Sequence, residues 1–225
     1  MSKVVEERGF AILPEVLPRN ELTGLSEEFS DGSMRRSRAG VRHAMNLPRV
    51  AALARGPRLM GIAREILGGS ASPFRATLFD KSAEANWLIV WHQDTALPLE
   101  KKIETEGWGP WSVKEGVIYA HAPADALARV IALRVHLDDS DAENGPLRVL
   151  PGSHCFGVLT DERIHTLAAE VPALDCLVAK GGVLAMRPLI VHASSKSQTA
   201  QSRRVLHIEY ADSMRICDGL ELATT

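Results

Sequence analysis

The chain has 225 residues, of which 45% are hydrophobic and 24% charged, and its formal net charge is −2. These values are ordinary for a globular protein, and the scattered Lys and Arg residues argue against a nucleic-acid or anionic-membrane surface. No run approaches the roughly 18 apolar residues of a membrane span, and the charged N-terminus is unlike a signal peptide, so we expect one cytoplasmic domain over 1–225. The three cysteines lack CxxC spacing, which argues against a disulfide framework and a thiolate metal site.

The N-terminal part, about 1–70, carries the helical signals. A short apolar strand is predicted at 9–13, and leucines at helical spacing predict a helix over 19–30. A second helical stretch is predicted over 48–67, where a Gly-Gly pair ends it. The segment 31–46 between them is rich in Arg, Gly and Ser and is predicted to be a loop.

After Pro73 the pattern changes to short β-type runs, and the predicted strands are 74–79, 87–91, 130–137, 146–150, 183–186, 189–191 and 205–210. An Asn-Gly pair at 144–145 is typical of a tight hairpin. Helices followed by many short strands predict a mainly β fold with flanking helices (α+β), whose core, about 74–212, is a double-stranded β-helix, the cupin-like jelly roll. The insert 100–125, with Trp108 and Trp111, is predicted to be a lid or a substrate-facing loop.

Three short motifs are candidates for metal binding. Histidine and carboxylate two residues apart on a strand point to the same face, so a His-x-Asp unit can offer a nitrogen and an oxygen to one ion. Such units often arise by chance, and this chain has two and a near-match: His92 with Asp94, His136 with Asp138, and His207 with Glu209. The first pair ends an apolar run before a Pro-containing loop, where a β-barrel presents residues at its mouth. The second pair leads into an acidic turn, and we assign it a structural role.

A third ligand must come from another strand, and His192, after the apolar stretch 189–191, is the best candidate. Ser194 lies on the same face as His192 if the strand continues. The basic pair Arg203 and Arg204 opens the next strand. A cationic fork close to a metal is what a dicarboxylate cosubstrate requires.

In the order and spacing of these residues, the chain resembles the phytanoyl-CoA dioxygenase family of iron and 2-oxoglutarate oxygenases. The matching motifs come in the family's order: Trp-His-Gln-Asp at 91–94, the stretch 137–154 that ends in Pro-Gly-Ser-His, Arg-Pro-Leu at 187–189 before His192, and Ser-Arg-Arg at 202–204. They cover most of 74–210, and the opening 9–14 is similar to the family's N-terminal strand. The resemblance implies that His92, Asp94 and His192 hold Fe(II) as a facial triad.

The resemblance also implies a cosubstrate site. Arg203, with help from Ser194, is expected to bind the distal carboxylate of 2-oxoglutarate. Arg134 matches a position where family members often carry an aromatic residue lining the cosubstrate pocket, and Thr77, on the strand before His92, is expected to face that pocket. The implied enzyme is a dioxygenase that uses O2 and 2-oxoglutarate, releases succinate and CO2, and hydroxylates a small organic molecule. Hydroxylation is expected because Asp94 occupies the site that related halogenases leave free for halide.

Two other interpretations stay open. In one, the chain is a cupin-like protein whose His/Asp/His site holds zinc or manganese and performs hydrolase or isomerase chemistry through bound water. Arg203 and Ser194 count against it, because that chemistry needs no dicarboxylate clamp. In the other, the chain is a non-catalytic binding module, against which the intact triad argues. The sequence identifies neither the substrate nor the oligomeric state.

Overall fold

The computed structural model describes residues 1–30, 40–82 and 85–225. Its helices are α1 Ser2–Arg8, α2 Arg19–Ser30, α3 Pro48–Ala54, α4 Pro57–Leu67, α5 Ala124–Ala128 and α6 Asp161–Glu170. The predicted helix over 19–30 is confirmed. The predicted stretch 48–67 forms two helices, because a Gly-Pro pair interrupts it and Pro57 begins α4, a position where the missing N–H costs nothing. Gly68 ends α4 with a left-handed φ of 83°.

The strands in the described ranges are β1 Phe10–Leu13, β2 Gly40–Val41, β3 Ser72–Lys81, β4 Ile89–His92, β5 Ala96–Leu99, β6 Trp111–Lys114, β7 Val117–His121, β8 Val130–His136, β9 Leu147–Val149, β10 Leu174–Cys176, β11 Val183–Met186, β12 His192–Ser194, β13 Arg203–Ala211, β14 Arg215–Cys217 and β15 Leu220–Glu221. A major sheet has the order β1-β11-β8-β13-β3-β2, and a minor sheet has the order β10-β9-β12-β4. A third sheet, β5-β7-β6, and the hairpin β14-β15 complete the described strands. All of these pairings are antiparallel.

The central strands of the major sheet have two different faces. The outer face is apolar and packs against the N-terminal helices through residues that include Ala76, Leu78, Leu133, Val135, Leu206 and Ile208. The inner face, at the alternate positions, carries polar and charged side chains: Arg75, Thr77, Lys81, Arg134, His136, Arg203, His207 and Glu209. Because strand alternation fixes the direction of each side chain, these groups point into the space between the sheets.

The two sheets pack face to face. One apolar cluster contains residues of both, with Phe10, Ala132, Leu184 and Met186 from the major sheet and Leu147, Val149, Cys176 and Ile190 from the strands and loop of the minor sheet. Burying a large apolar side chain contributes about 1.5–3 kcal/mol, so this cluster stabilises the contact between the two sheets. The charged residues of the inner face are not needed for that contact. Two antiparallel sheets enclosing one space form the double-stranded β-helix, and the predicted jelly-roll fold is confirmed.

Two local predictions are wrong. The Asn-Gly pair at 144–145 does not close a tight hairpin, because the strands before and after it, β8 and β9, belong to different sheets. Only Gly145 has a positive φ, 67°, and Asn144 stabilises the crossover by donating its side-chain amide to the carbonyl of Asp139 at 2.8 Å. The apolar run 189–191 forms a turn before β12; its three side chains are buried in three different apolar clusters, which explains their hydrophobicity without a strand.

The two predicted loops also need revision. Of the segment 31–46, residues 31–39 lie outside the described residues, and the remainder contains β2 and the short 3-10 helix Ala44–Asn46. The insert 100–125 supplies β6 and β7 of the third sheet, so part of it is ordered β-structure and not loop. Trp108 is 9% exposed and packs in an apolar cluster with Leu97 and Leu127, so it belongs to the core. No helix in the described ranges combines the length and apolar character needed to cross a membrane.

Candidate metal and cosubstrate site

Three side chains meet at one edge of the space between the sheets. His92 ends β4, Asp94 follows in the adjoining loop, and His192 begins β12 opposite His92 in the antiparallel pair. Nε2 of His92 and Nε2 of His192 lie 3.8 Å and 3.6 Å from the two carboxylate oxygens of Asp94. The candidate ligand atoms all lie within 4.8 Å of one another, a spacing that one metal ion can bridge.

Backbone carbonyls fix the tautomer of both histidines. Nδ1 of His92 lies 2.8 Å from the carbonyl oxygen of Val90, and Nδ1 of His192 lies 2.9 Å from that of Ile190. A carbonyl oxygen only accepts, so each Nδ1 carries the proton and donates it, and each Nε2 keeps a lone pair on the side of Asp94. Metal-binding histidines are oriented in this way, with the second ring nitrogen held by a carbonyl or carboxylate.

The protonation states at this edge suit a cation. Burial lowers the pKa of His192 to about 4, so at neutral pH the ring is an uncharged electron-pair donor. Desolvation opposes ionisation of Asp94, but attraction to His192, His92 and the more distant Arg75 outweighs it, and the pKa of this carboxyl lies well below its usual range. His92 and Asp94 are about one third exposed, whereas His192 is buried, so the donor set opens on one side.

The two arginines that open β13 point to opposite faces, as strand alternation predicts. Nε and Nη2 of Arg204 each donate to the carboxylate of Asp138 at 2.8 Å, which accounts for its charge on the outer face. Arg203 points inward, is 5% exposed, and donates from Nε to the carbonyl of Asn144 at 3.2 Å. No carboxylate in the described ranges pairs with Arg203. Burial, and then repulsion from Arg134, lower its pKa to about 10.

A series of buried polar contacts lies along the inner face, between the metal-ligand cluster and Arg203. Nη1 of Arg134 lies 3.0 Å from Nδ1 of His207. Because a guanidinium only donates, the His207 proton lies on Nε2, which is 3.8 Å from the carboxylate of Glu209. Glu209 in turn forms an ion pair with Arg75. The near-match of His207 with Glu209 is therefore engaged in a charge network and does not join the three convergent side chains.

His136 also stays outside that group. Strand β8 ends at His136, so Asp138, which pairs with Arg204, does not share its face. His136 is 2% exposed, and neither ring nitrogen has a hydrogen-bond partner among the described residues. Burial, and then Arg134 and Arg203, lower the pKa of His136 to about 3, which keeps the ring neutral. The structure supports a structural role for Asp138 and places His136 beside the buried arginines.

The remaining candidates line the same space. Thr77 lies on the inner face of β3, opposite His207 of β13. Ser194 is buried on β12, where its hydroxyl donates to the carbonyl of Gly145 at 2.9 Å and accepts from Nζ of Lys81 at 2.9 Å. Lys81 is not among the predicted site residues, because the predicted strand ends at residue 79. Alternation continued by one step from Thr77 through residue 79 would have found it.

The third sheet reaches the metal end of this space. The guanidinium carbon of Arg75 lies 6.0 Å from the centre of the Tyr119 ring on β7, and the Tyr119 hydroxyl lies 3.4 Å from Nε2 of His43. Arg42, which follows β2, and Glu115, which lies in the turn between β6 and β7, form an ion pair at 3.1 Å. The insert thus borders the inner face that carries Arg75, and its role as a lid or a substrate-facing segment stays a prediction.

A family model described as phytanoyl-CoA dioxygenase (PhyH) matches residues 5–205 of the chain. The chain belongs to this family. Two relatives are an L-proline trans-4-hydroxylase from Streptomyces griseoviridis, 31% identical over 186 residues, and an ectoine dioxygenase from Halomonas elongata, 27% identical over 197 residues. The alignments cover 71% and 76% of this chain but only 62% and 53% of those proteins, so the chain spans less than two thirds of either curated relative.

A solved structure shows the same fold. The crystal structure of HygX from Streptomyces hygroscopicus, with nickel and 2-oxoglutarate bound, matches with a TM-score of 0.67 and 16% sequence identity. The match covers 93% of this chain and 84% of HygX. At this level of identity the likeness shows the fold alone. The chain therefore combines phytanoyl-CoA dioxygenase family membership with a jelly roll whose inner face carries two features. One is the cluster of His92, Asp94 and His192, and the other is the buried pair Arg203 and Lys81, for which the described residues supply no carboxylate partner.

Proposed function

We propose that the chain is a non-haem Fe(II), 2-oxoglutarate-dependent dioxygenase that hydroxylates a small organic molecule. One observation carries the proposal: the convergent donor atoms of His92, Asp94 and His192 open onto an inner face where the buried guanidinium of Arg203 has no carboxylate partner among the described residues. A metal site alone fits many chemistries. A metal site that shares a space with a buried cation fits a cosubstrate carrying a second carboxylate.

The donor set fits iron(II). Two imidazole nitrogens and one carboxylate oxygen on one face are typical of non-haem iron(II) oxygenases, in which further coordination positions stay open. In this chain, His92 and His192 would contribute Nε2, and Asp94 would contribute a carboxylate oxygen. When bound, iron(II) with O2 and 2-oxoglutarate supplies the oxidising chemistry, in which 2-oxoglutarate is converted to succinate and CO2. The backbone carbonyls of Val90 and Ile190 hold the two rings in the tautomer this requires.

Arg203 would bind the distal carboxylate of 2-oxoglutarate. Its planar guanidinium can donate two parallel, charge-assisted hydrogen bonds, and its fixation through Nε to Asn144 leaves the terminal nitrogens for this purpose. Ser194 would add a hydroxyl, and Thr77 lies on the same face. Arg134 would stabilise bound anionic groups from the middle of the inner face, where His207 orients it. Burial strengthens each of these interactions because water does not compete.

Hydroxylation of a small molecule is the reaction that we propose. The relatives named above are a proline hydroxylase and an ectoine dioxygenase, and both names refer to small substrates. Asp94 would occupy the coordination position that related halogenases leave for halide, which favours oxygen transfer. Neither proline nor ectoine is proposed as the substrate of this chain. The chain covers less than two thirds of each relative, and substrate recognition depends on the residues around the site.

The test is an assay of succinate release with a panel of amino acids and other small metabolites, using purified protein with iron(II), 2-oxoglutarate and air. We expect one compound to stimulate succinate release and to gain one oxygen atom by mass spectrometry. Asp94→Ala should abolish both signals, and His165→Ala, on the exposed face of α6, should change neither. Oxidation of a panel compound that persists in Asp94→Ala would contradict the proposed site.

A further inference from the structure

Lys81 is a buried cation in an unusual position. It is the last residue of β3, is 1% exposed, and lies directly opposite Arg203 of β13 in the sheet register. Like charges directly opposite each other on neighbouring strands repel, and burial removes the water that would screen them. The repulsion between two such cations is relieved when a negative group lies near both of them.

The surroundings of Lys81 contain no such group among the described residues. Its Nζ donates to the Ser194 hydroxyl at 2.9 Å and to the carbonyl of Ser195, and it lies 5.6 Å from the centre of the Trp87 ring. These partners are uncharged, and the charged group that faces Lys81 from β13 is Arg203. An ammonium group has three donors, so two contacts leave one for a further acceptor.

The electrostatics agree with this geometry. Burial, and then repulsion from Arg203, lower the pKa of Lys81 to about 8, so the ammonium is still mostly charged at neutral pH. The same region holds Arg134, whose charge also opposes that of Arg203. Three cations thus share one buried space, and an entering carboxylate would relieve their mutual repulsion.

We propose that Lys81 is a second cation that binds the distal carboxylate of 2-oxoglutarate, acting beside Arg203 through the Ser194 end of the pocket. This inference rests on the proposed function. The location follows from one contact: Lys81 already touches the hydroxyl of Ser194, the residue assigned with Arg203 to that carboxylate. A simpler alternative is that Lys81 only ties β3 to β12 through its two hydrogen bonds.

The experiment separates these two roles by comparing ligands as well as variants. Affinity is measured by calorimetry on protein loaded with Mn(II), which occupies similar ligands without turnover. The ligands are 2-oxoglutarate and 2-oxopentanoate, which carries a methyl group in place of the distal carboxylate. The variants are Lys81→Gln, which keeps a donor but no charge, Lys81→Arg, which keeps the charge, and Lys101→Gln as an exposed control.

We expect Lys81→Gln to weaken binding of 2-oxoglutarate by about tenfold or more, the effect of one charge-assisted hydrogen bond. Its affinity for 2-oxopentanoate should match that of the parent, and Lys81→Arg should retain most of the 2-oxoglutarate affinity. Equal losses for both ligands, or unchanged 2-oxoglutarate binding in Lys81→Gln, would overturn the role of Lys81 alone. A parent protein that binds 2-oxoglutarate no better than 2-oxopentanoate would overturn the proposed function as well.

Discussion

Replacement of Arg203 by alanine removes one buried guanidinium and leaves the metal site untouched. Arg203 begins β13, whereas the three candidate ligands lie on β4, its following loop and β12. Its Nε bond to the Asn144 carbonyl is lost, and the neighbouring Lys81 and Arg134 lose a repelling charge. The variant should therefore fold, bind metal as the parent does, and lose affinity for 2-oxoglutarate.

The expected loss of 2-oxoglutarate affinity in Arg203→Ala follows from the hydrogen bonds that are removed. A guanidinium can hold a carboxylate through two parallel charge-assisted bonds, each worth roughly 1.5–3 kcal/mol. Loss of both removes about 3 kcal/mol or more, which is a factor of about a hundred or more in the dissociation constant. Removing the charge also lets the pKa of Lys81 rise, which recovers a small part of the loss.

Arg204→Ala is the matched control, because the two arginines are adjacent and face opposite sides of the sheet. Arg204 pairs with Asp138 on the outer face, so its loss should cost about 1 kcal/mol of unfolding free energy. The apparent Michaelis constant for 2-oxoglutarate should rise steeply in Arg203→Ala and stay within about twofold of the parent in Arg204→Ala. Metal content should equal one ion per chain in both.

Similar 2-oxoglutarate affinities in Arg203→Ala and the parent protein would refute this reasoning. They would show that the buried guanidinium does not contact the distal carboxylate, and they would also weaken the assignment of Ser194 to the same group. A steep rise in both arginine variants would point instead to a general disturbance of β13.

Three further predictions concern the metal, the pH and the crossover. His92→Ala, Asp94→Ala or His192→Ala should lower the metal content per chain, whereas His136→Ala and His207→Ala should not; the reverse pattern by elemental analysis would reassign the ligands. An anion beside Lys81 raises its pKa above the free value of about 8, so 2-oxoglutarate affinity should be full below pH 8 and fall as the pH rises above it, whereas a flat profile in the parent would contradict this linkage. At Gly145, where φ is 67°, an added Cβ would lie 2.4 Å from the Ser195 carbonyl oxygen, so Gly145→Ala should cost about 1–3 kcal/mol in denaturant unfolding. In contrast, Gly61→Ala in α4, with nothing within 4 Å, should stabilise by up to about 1 kcal/mol, and equal effects of the two changes would contradict the steric argument.

Much of the architecture could be predicted from the sequence because local patterns and global packing agree. The predicted strand 205–210 is a central strand of the major sheet, and the opening strand at 9–13 pairs in the same sheet as 183–186. His92 and His192 could be chosen as candidate ligands because both follow apolar runs, whereas their grouping with Asp94 was implied by the family resemblance. The family resemblance supplied the order of the motifs, and without it the His-x-Asp units were too common to separate.

The remaining differences have physical causes that lie beyond local sequence. The Asn-Gly pair favours a tight turn, but the strand that follows it, β9, lies in the minor sheet, whereas β8 lies in the major sheet. Of the two residues, only Gly145 has a positive φ. The turn at 189–191 is apolar because it is buried from three sides, which no periodicity reveals. Lys81 was missed because the predicted strand ended at residue 79, and its burial beside β12 is a tertiary feature, since a lysine is ordinarily solvated.

The most direct test of the central claim is the conversion of 2-oxoglutarate by iron-loaded protein under air in the absence of a primary substrate. We expect slow formation of succinate, dependent on iron(II) and absent in Asp94→Ala. Calorimetry on the same preparation should show 2-oxoglutarate binding only when a divalent metal is present. Iron-loaded protein that neither binds 2-oxoglutarate nor converts it to succinate would contradict the account.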